Sequence, residues 1–209
     1  MLRRNFISYC SIGAGVLMQR FASSQERPSY DLIVVGSGAA ALAAAISASD
    51  EGLKSILVIE KEPIIGGSSA ISGGAIAVSQ TDFQRQQGIN DTDERFFNDL
   101  MKCGGYVNDP ALVKTLVGGI REQYEWIVSK GLSPMKLMAA SGMSLPRSHM
   151  FNSGLLIQLF REELNSRGIR IKTGCRAIEL VQHNSKVVGV LVAHCGKTFC
   201  LQSRKGVLL

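Results

Sequence analysis

The chain has 209 residues, 45% of them hydrophobic, and carries a formal net charge of +6. That length suits one domain with a sizeable core, alone or with a short appendage. No apolar run reaches the roughly 18 residues that mark a membrane-spanning helix, and no basic stripe with interleaved aromatics marks a nucleic-acid face, so neither partner is expected.

Residues 1–24 hold Arg3, Arg4 and Arg20 and no acid. An apolar stretch from Ile7 to Met18 follows the basic start, and small residues stand at Ala22 and Ser24, as a signal peptidase requires. Arg3-Arg4 followed by Asn5-Phe6-Ile7 resembles a twin-arginine export signal, a route used by proteins folded around a cofactor. Periplasmic export is the expectation. A mitochondrial presequence, cut near Arg20-Phe21-Ala22, is the alternative. Residues 1–24 are set aside from the fold as a targeting segment, which leaves 25–209 as the domain.

Leu32–Val35 is a continuous run of strand formers, suited to a strand buried on both faces of a parallel sheet. Gly36-Ser37-Gly38-Ala39-Ala40-Ala41 then fits G-x-G-x-x-G/A. The first glycine makes the tight turn, the second lets backbone approach a pyrophosphate, and Ala41 lets the helix lie close to the strand. The helix beginning here aims free N–H groups and its positive dipole end at the phosphates. A second apolar run, Ser55–Ile59, ends in Glu60, placed to accept hydrogen bonds from an adenosine ribose. Strand, glycine turn, helix, strand and acid in this order predict an adenine dinucleotide site. The stretch after Glu60 holds Gly66, Gly67, Gly73 and Gly74 with Ser68, Ser69, Ser72 and Ser79. It reads as polar wrapping around a long ligand, as a flavin requires, rather than as a third βα unit.

Asp93–Cys103 and Asp109–Lys130 read as helices, the second with Asp109 as N-cap and Pro110 in the first turn. Its Leu112, Val113, Leu116, Val117, Ile120, Tyr124 and Ile127 recur at helical spacing and are expected in the core; Trp126 is expected to pack. Asn152 or Ser153 caps a further helix to about Ser166, with Gly168 ending it. Ile169–Thr173 reads as a strand. Ala177–His183 and Lys186–His194, joined by Asn184-Ser185, read as a hairpin that Lys197–Gln202 completes as a three-stranded meander, with His183 and His194 solvated. Five cysteines, Cys10, Cys103, Cys175, Cys195 and Cys200, form no CxxC pair and are expected as unpaired thiols. No metal site is indicated. The fold class is therefore α/β: Rossmann-like, two to three layers around a mostly parallel sheet, with a small antiparallel β-meander.

"GSGAAALAAAI", "VIEKEPIIGGSSAISGGAI" and "MKCGGYVNDPALVKTLVGGIREQYEWIVSKG" together resemble the flavoproteins of the fumarate reductase/succinate dehydrogenase group, in particular the soluble flavocytochrome c, fumarate and urocanate reductase branch. The resemblance runs from about Tyr30 onward. It implies FAD, with Gly36, Gly38, Ala39 and Ala40 on the pyrophosphate, Glu60 on the ribose with Lys61 beside it, and Gly67, Ser68, Ser69, Ser72, Gly73 and Gly74 flanking the diphosphate and isoalloxazine. The backbone near Ala177 would contact adenine. Residues 62–80 contain no histidine, where membrane-bound members attach FAD, so non-covalent FAD is implied.

The polar cluster "SLPRSHM" puts Arg147 and His149 where relatives carry a basic loop near the flavin; an exposed basic loop is the plainer alternative, and neither residue is assigned a catalytic role. In the resembled family the closing "KGVLL" leads into an Ala-Thr-Gly-Gly turn and then a substrate-capping domain. The expectation is thus the FAD-binding part of a reductase acting on a C=C bond of an unsaturated carboxylic acid, with an electron-donor protein as partner, and without the capping domain or the catalytic acid. Alternatives are a non-catalytic FAD-binding remnant, a subunit completed by a partner chain, and a 3-ketosteroid dehydrogenase-like flavoprotein.

Overall fold

The computed structural model describes residues 29–209; the proposed targeting segment lies outside them. The centre of the fold is a six-stranded sheet in the spatial order β6 (Arg170–Lys172), β2 (Ile56–Ile59), β1 (Ser29–Val35), β9 (Lys197–Leu208), β8 (Lys186–His194) and β7 (Arg176–His183). Its parallel part contains β1 (Ser29–Val35), β2 (Ile56–Ile59) and β6 (Arg170–Lys172). Leu32 aligns with Ile56, and Leu57 with Arg170. Side chains alternate across these strands. Val34, Ile56 and Val58 join the cluster with Leu42, Ala45 and Ile46 of α1 (Ala39–Asp50) and with Leu156, Ile157, Phe160 and Leu164 of α6 (Ser153–Ser166). Ile33, Leu57 and Ile59 point the other way, into a cluster with Val190, Val192 and Leu201. Both faces are covered, which is why the strands read as unbroken apolar runs.

The second cover is the meander of β7 (Arg176–His183), β8 (Lys186–His194) and β9 (Lys197–Leu208). Asn184 and Ser185 both take positive φ, as do Cys195 and Gly196, the backbone of two-residue turns that match strand twist. Sequence reading ends the third meander strand at Gln202. The structure carries it on: Lys197–Gln202 pairs antiparallel with β8, and Gln202–Leu208 pairs parallel with β1. One strand serves both parts of the sheet.

Helices α4 (Asp93–Cys103) and α5 (Pro110–Ser129) form a satellite core from Phe96, Met101, Val113 and Val117. Asp109 caps α5 by accepting the Ala111 N–H, and Asn152 caps α6 by accepting the Leu155 N–H. The expectation that Leu112 and Leu116 are core is wrong: they are 69% and 49% exposed. The buried stripe of α5 runs through Val113, Val117, Tyr124 and Ile127, and a residue one position earlier sits about 100° around the helix. Sequence reading also misses a three-stranded antiparallel sheet of β3 (Ala75–Ala77), β5 (Ser148–Met150) and β4 (Lys136–Met138). Three-residue strands show too little alternation to be seen, and their pairing bridges distant segments. Two one-turn helices, α2 (Gly67–Ala70) and α3 (Asp82–Arg85), complete the described elements.

Candidate cofactor site

The site is built where β1 ends. Gly36 continues the ladder by donating its N–H to the Ile59 carbonyl at 2.8 Å, then turns the chain with φ +104°, a conformation that favours glycine. Gly38 is the N-cap of α1 and has no side chain to cap it; the first turn of the helix contains no acid. The positive end of the helix dipole is therefore not neutralised from within the first turn. The Ala39 N–H donates to Ser69 Oγ at 3.1 Å, so Ala39 reaches a ligand only through that hydroxyl, which has its own proton to donate. Ala40, one residue on, is exposed.

Gly38 differs in kind from Gly36. Its φ is −69°, open to any residue, and a Cβ built on it would meet only Ser69 Oγ, at 3.5 Å, and the Gly66 carbonyl, at 4.0 Å. Those are ordinary contacts. Neither backbone nor neighbours within the chain demand glycine here, so its use fits a group from outside lying against the backbone.

Glu60 is buried at the end of β2. Its Oε2 accepts the Ser37 hydroxyl at 2.6 Å and its Oε1 accepts the Glu62 N–H at 2.9 Å. Burial pushes the carboxyl up, but the hydrogen bonds from Glu62 and Ser37 outweigh it and hold Glu60 below the ordinary glutamate value. It is an ionised acceptor. Segment 172–175 is laced over the same point: the Glu60 N–H donates to Lys172 O at 2.9 Å, and the Cys175 N–H donates to Glu60 O at 2.7 Å. This brings the start of β7, with half-buried Ala177, to the Glu60 end of the sheet. Lys61 is exposed, its ammonium 3.6 Å from Glu62.

The glycine- and serine-rich segment folds against the same corner. The Gly66 N–H donates to both Ser37 O and Ser37 Oγ, each at 3.0 Å. Ser72 Oγ donates to Ser69 O at 2.9 Å and accepts the Gly74 N–H at 3.3 Å. Gly67, Ser68, Ser72 and Gly73 are exposed along it. Gly74 is packed so closely that a Cβ would stand 2.0 Å from the Phe151 carbonyl. Of the residues named from sequence, the fold brings Gly38, Ala39, Glu60 and Ser69 to one corner, while Gly73 and Gly74 lie against Met150 and Phe151; sequence reading misses Ser37. That residue is an unspecified position of the glycine motif, and only the fold shows it bonded to Glu60 and Gly66.

Arg147 and His149 are not an exposed basic loop. Both are fully buried, Arg147 just before β5 and His149 within it. Arg147 pairs with Asp91 through two nitrogens, at 2.8 and 2.9 Å, and with Asp99. His149 Nδ1 lies 2.8 Å from the Arg147 carbonyl, so it carries the proton, and Nε2 accepts the Thr81 hydroxyl at 2.8 Å. Burial pushes His149 below the ordinary histidine value. That favours the neutral ring, while the hydrogen bonds to the Arg147 and Ile76 backbone pull the other way. His183 is exposed as expected, whereas His194 is half-buried and within 3.0 Å of the Gly174 carbonyl. Among the described residues no cluster of His, Cys, Asp and Glu is arranged to hold a metal ion. Among the described residues, Cys103, Cys175, Cys195 and Cys200 form no disulfide.

The family described as FAD binding domain matches residues 31–209. The chain belongs to that family. A fumarate reductase (cytochrome) of Shewanella frigidimarina is 34% identical over 197 residues, 91% of this chain and 34% of its own length. A urocanate reductase of Eggerthella lenta is 32% identical over 188 residues, 85% of this chain and 31% of its own length. The open conformation of a flavocytochrome c3 fumarate reductase matches with a TM-score of 0.83 at 27% identity, covering 92% of this chain and 35% of that one. This FAD binding domain thus spans about a third of the length of those relatives. FAD is its cofactor, and the uncapped start of α1, the spared space at Gly38 and the ionised Glu60 fit an adenine dinucleotide. Among the described residues no helix is long and apolar enough to cross a membrane.

Proposed function

We propose that this chain is the FAD-holding part of a flavin-dependent reductase that saturates a C=C bond of an unsaturated carboxylic acid. The cofactor part is carried by the corner at the end of β1, where a helix start without a side-chain cap of its own, a glycine not required by the chain itself and an ionised buried carboxylate converge; the likeness to fumarate and urocanate reductases supports the reaction. In this reading Gly36, Gly38, Ala39 and Ala40 face the pyrophosphate, Ala39 by way of Ser69. Glu60 accepts the ribose hydroxyls, with Lys61 alongside. Gly67, Ser68, Ser69, Ser72, Gly73 and Gly74 flank the diphosphate and isoalloxazine, and the backbone at Ala177 meets adenine. The isoalloxazine, when bound, supplies the hydride.

The chain's own residues bind, orient and exclude water. The N–H groups of α1 offset phosphate charge, and Glu60 fixes the adenosine end. No described residue is assigned as the substrate's proton donor. His149, the histidine nearest to that role in the sequence, has both nitrogens engaged inside the protein. Its burial also argues against attachment to flavin, which supports non-covalent FAD. An electron-donor protein as partner and export to the periplasm belong to the same proposal, the latter resting on Arg3-Arg4 and the apolar stretch after them.

The test uses the purified 209-residue chain. FAD and NADH are titrated separately, the loaded protein is precipitated with acid, and the supernatant is examined for flavin. Tighter binding of FAD, with all flavin released, supports the reading. NADH bound as well as FAD, or flavin retained in the pellet, counts against it. For activity, fumarate, urocanate and a 3-ketosteroid are assayed anaerobically; turnover of the steroid alone would overturn the substrate class.

A further inference from the structure

We infer that Ser37 sets the ribose selectivity of the dinucleotide site by holding the Glu60 carboxylate in one orientation, so that it is a positioning residue and not a ligand contact. The inference rests on the reading of Glu60 as the ribose acceptor. Ser37 is 1% exposed, too enclosed to serve a ligand directly. Its hydroxyl has a defined direction: it accepts the Gly66 N–H at 3.0 Å and donates to Glu60 Oε2 at 2.6 Å. The Glu62 N–H holds the other carboxylate oxygen at 2.9 Å. The backbone N–H groups of Ser37 and Lys61 also interact with the carboxylate, so the Ser37 hydroxyl is the side-chain donor of the set, and a carboxylate can accept several hydrogen bonds. A diol meeting a carboxylate already fixed at both oxygens loses no further rotamer freedom in that side chain.

The position of Ser37 in the chain makes this coupling local to the pocket. It stands between Gly36 and Gly38, so the residue that orients the ribose acceptor also fixes the turn that faces the pyrophosphate. Through Gly66 it also joins the glycine- and serine-rich segment. Removing the hydroxyl leaves the Gly66 N–H its bond to Ser37 O at 3.0 Å but takes a donor from Glu60 Oε2. The turn is expected to survive, and the carboxylate, still reached by the backbone N–H groups of Ser37, Lys61 and Glu62, loses the side-chain donor that directs Oε2.

The experiment measures binding of ADP and of 2′,3′-dideoxy-ADP, which lacks the diol, to the full chain and its variants by calorimetry. The native chain is expected to prefer ADP by about tenfold or more, the scale of a hydrogen bond to a charged group. In Ser37→Ala that ratio should fall toward one while dideoxy-ADP binds as before. Ser37→Cys, nearly the same size with a weak donor, should also lower the ratio, and it serves if the alanine variant does not fold. Equal losses for both ligands would make Ser37 merely structural and overturn the inference, as would an unchanged ratio. Gly38→Val separates this from failure of the reading beneath it. If that variant binds both ligands like the native chain, or if the native chain does not discriminate between them, the assignment of the site itself falls.

Discussion

Arg147 and Asp91 lie 56 positions apart and form a two-pronged ion pair with neither side chain exposed to solvent. Asp91 also accepts the Gln84 side-chain amide, and Asp99 takes another nitrogen of Arg147. Burial alone raises Asp91, but Arg147 and Gln84 outweigh it and keep the carboxyl below its ordinary value. Arg147→Met leaves Asp91 buried without its cation, and breaking such a pair typically costs about 3–5 kcal/mol. Urea unfolding should show a loss of that size. Arg147→Met combined with Asp91→Leu should lose less than Arg147→Met alone, since no uncompensated charge then faces that cavity.

His149 predicts a pH dependence. Its folded value lies below the ordinary 6.5, with burial as the largest cause. Below about pH 6.5 the unfolded chain takes up a proton that the folded chain refuses, so stability falls as pH drops, by at most about 1.4 kcal/mol per pH unit for one such group. The loss stops once the folded state also protonates. Asp91 and Asp99 act in the same direction lower down: their contribution is present above the unfolded carboxylate value of 3.8 and is lost as pH falls through their depressed folded values. Melting temperatures from pH 7.5 to 5.5 should decline for the native chain and stay flatter for His149→Gln. Parallel curves would show that His149 is not the titrating group.

At the cofactor corner, Gly38→Val and Glu60→Ala are expected to weaken FAD for different reasons. The valine fills the space that the chain leaves open beside Ser69, a steric block that should all but abolish binding. The alanine removes a charged acceptor, worth about 1.5–3 kcal/mol, or roughly tenfold to a hundredfold in affinity. Flavin fluorescence titration distinguishes the two. A Glu60→Ala chain that binds FAD with native affinity would remove the ribose role.

Gly74→Ala tests packing rather than binding. The added Cβ would stand 2.0 Å from the Phe151 carbonyl, and φ is +71°, so the backbone has to move. Overpacking of this kind costs about 1–3 kcal/mol. A lower denaturation midpoint with an unchanged denaturant slope is the expected result; native stability would mean that the segment before β3 shifts freely.

The sequence by itself determined the βαβ unit, the hairpin at Asn184-Ser185 and the cap at Asp109, and narrowed the next cap to Asn152 or Ser153, because each is written in local chemistry: apolar runs, turn residues, side-chain oxygens at helix starts. It also named Glu60, since the acid follows its strand directly. Only the tertiary structure decided what Ser37 does, because its partners Glu60 and Gly66 lie 23 and 29 positions away. The same holds for Arg147 and His149. A basic residue in a polar stretch reads as solvated until the fold supplies Asp91, Asp99 and Thr81 to satisfy it. Leu112 and Leu116 show the reverse case: helical spacing marks several apolar positions, and only packing against α4 and the sheets selects which stripe of α5 is buried. Local patterns carry periodicity and caps; burial and charge pairing depend on which distant segments meet.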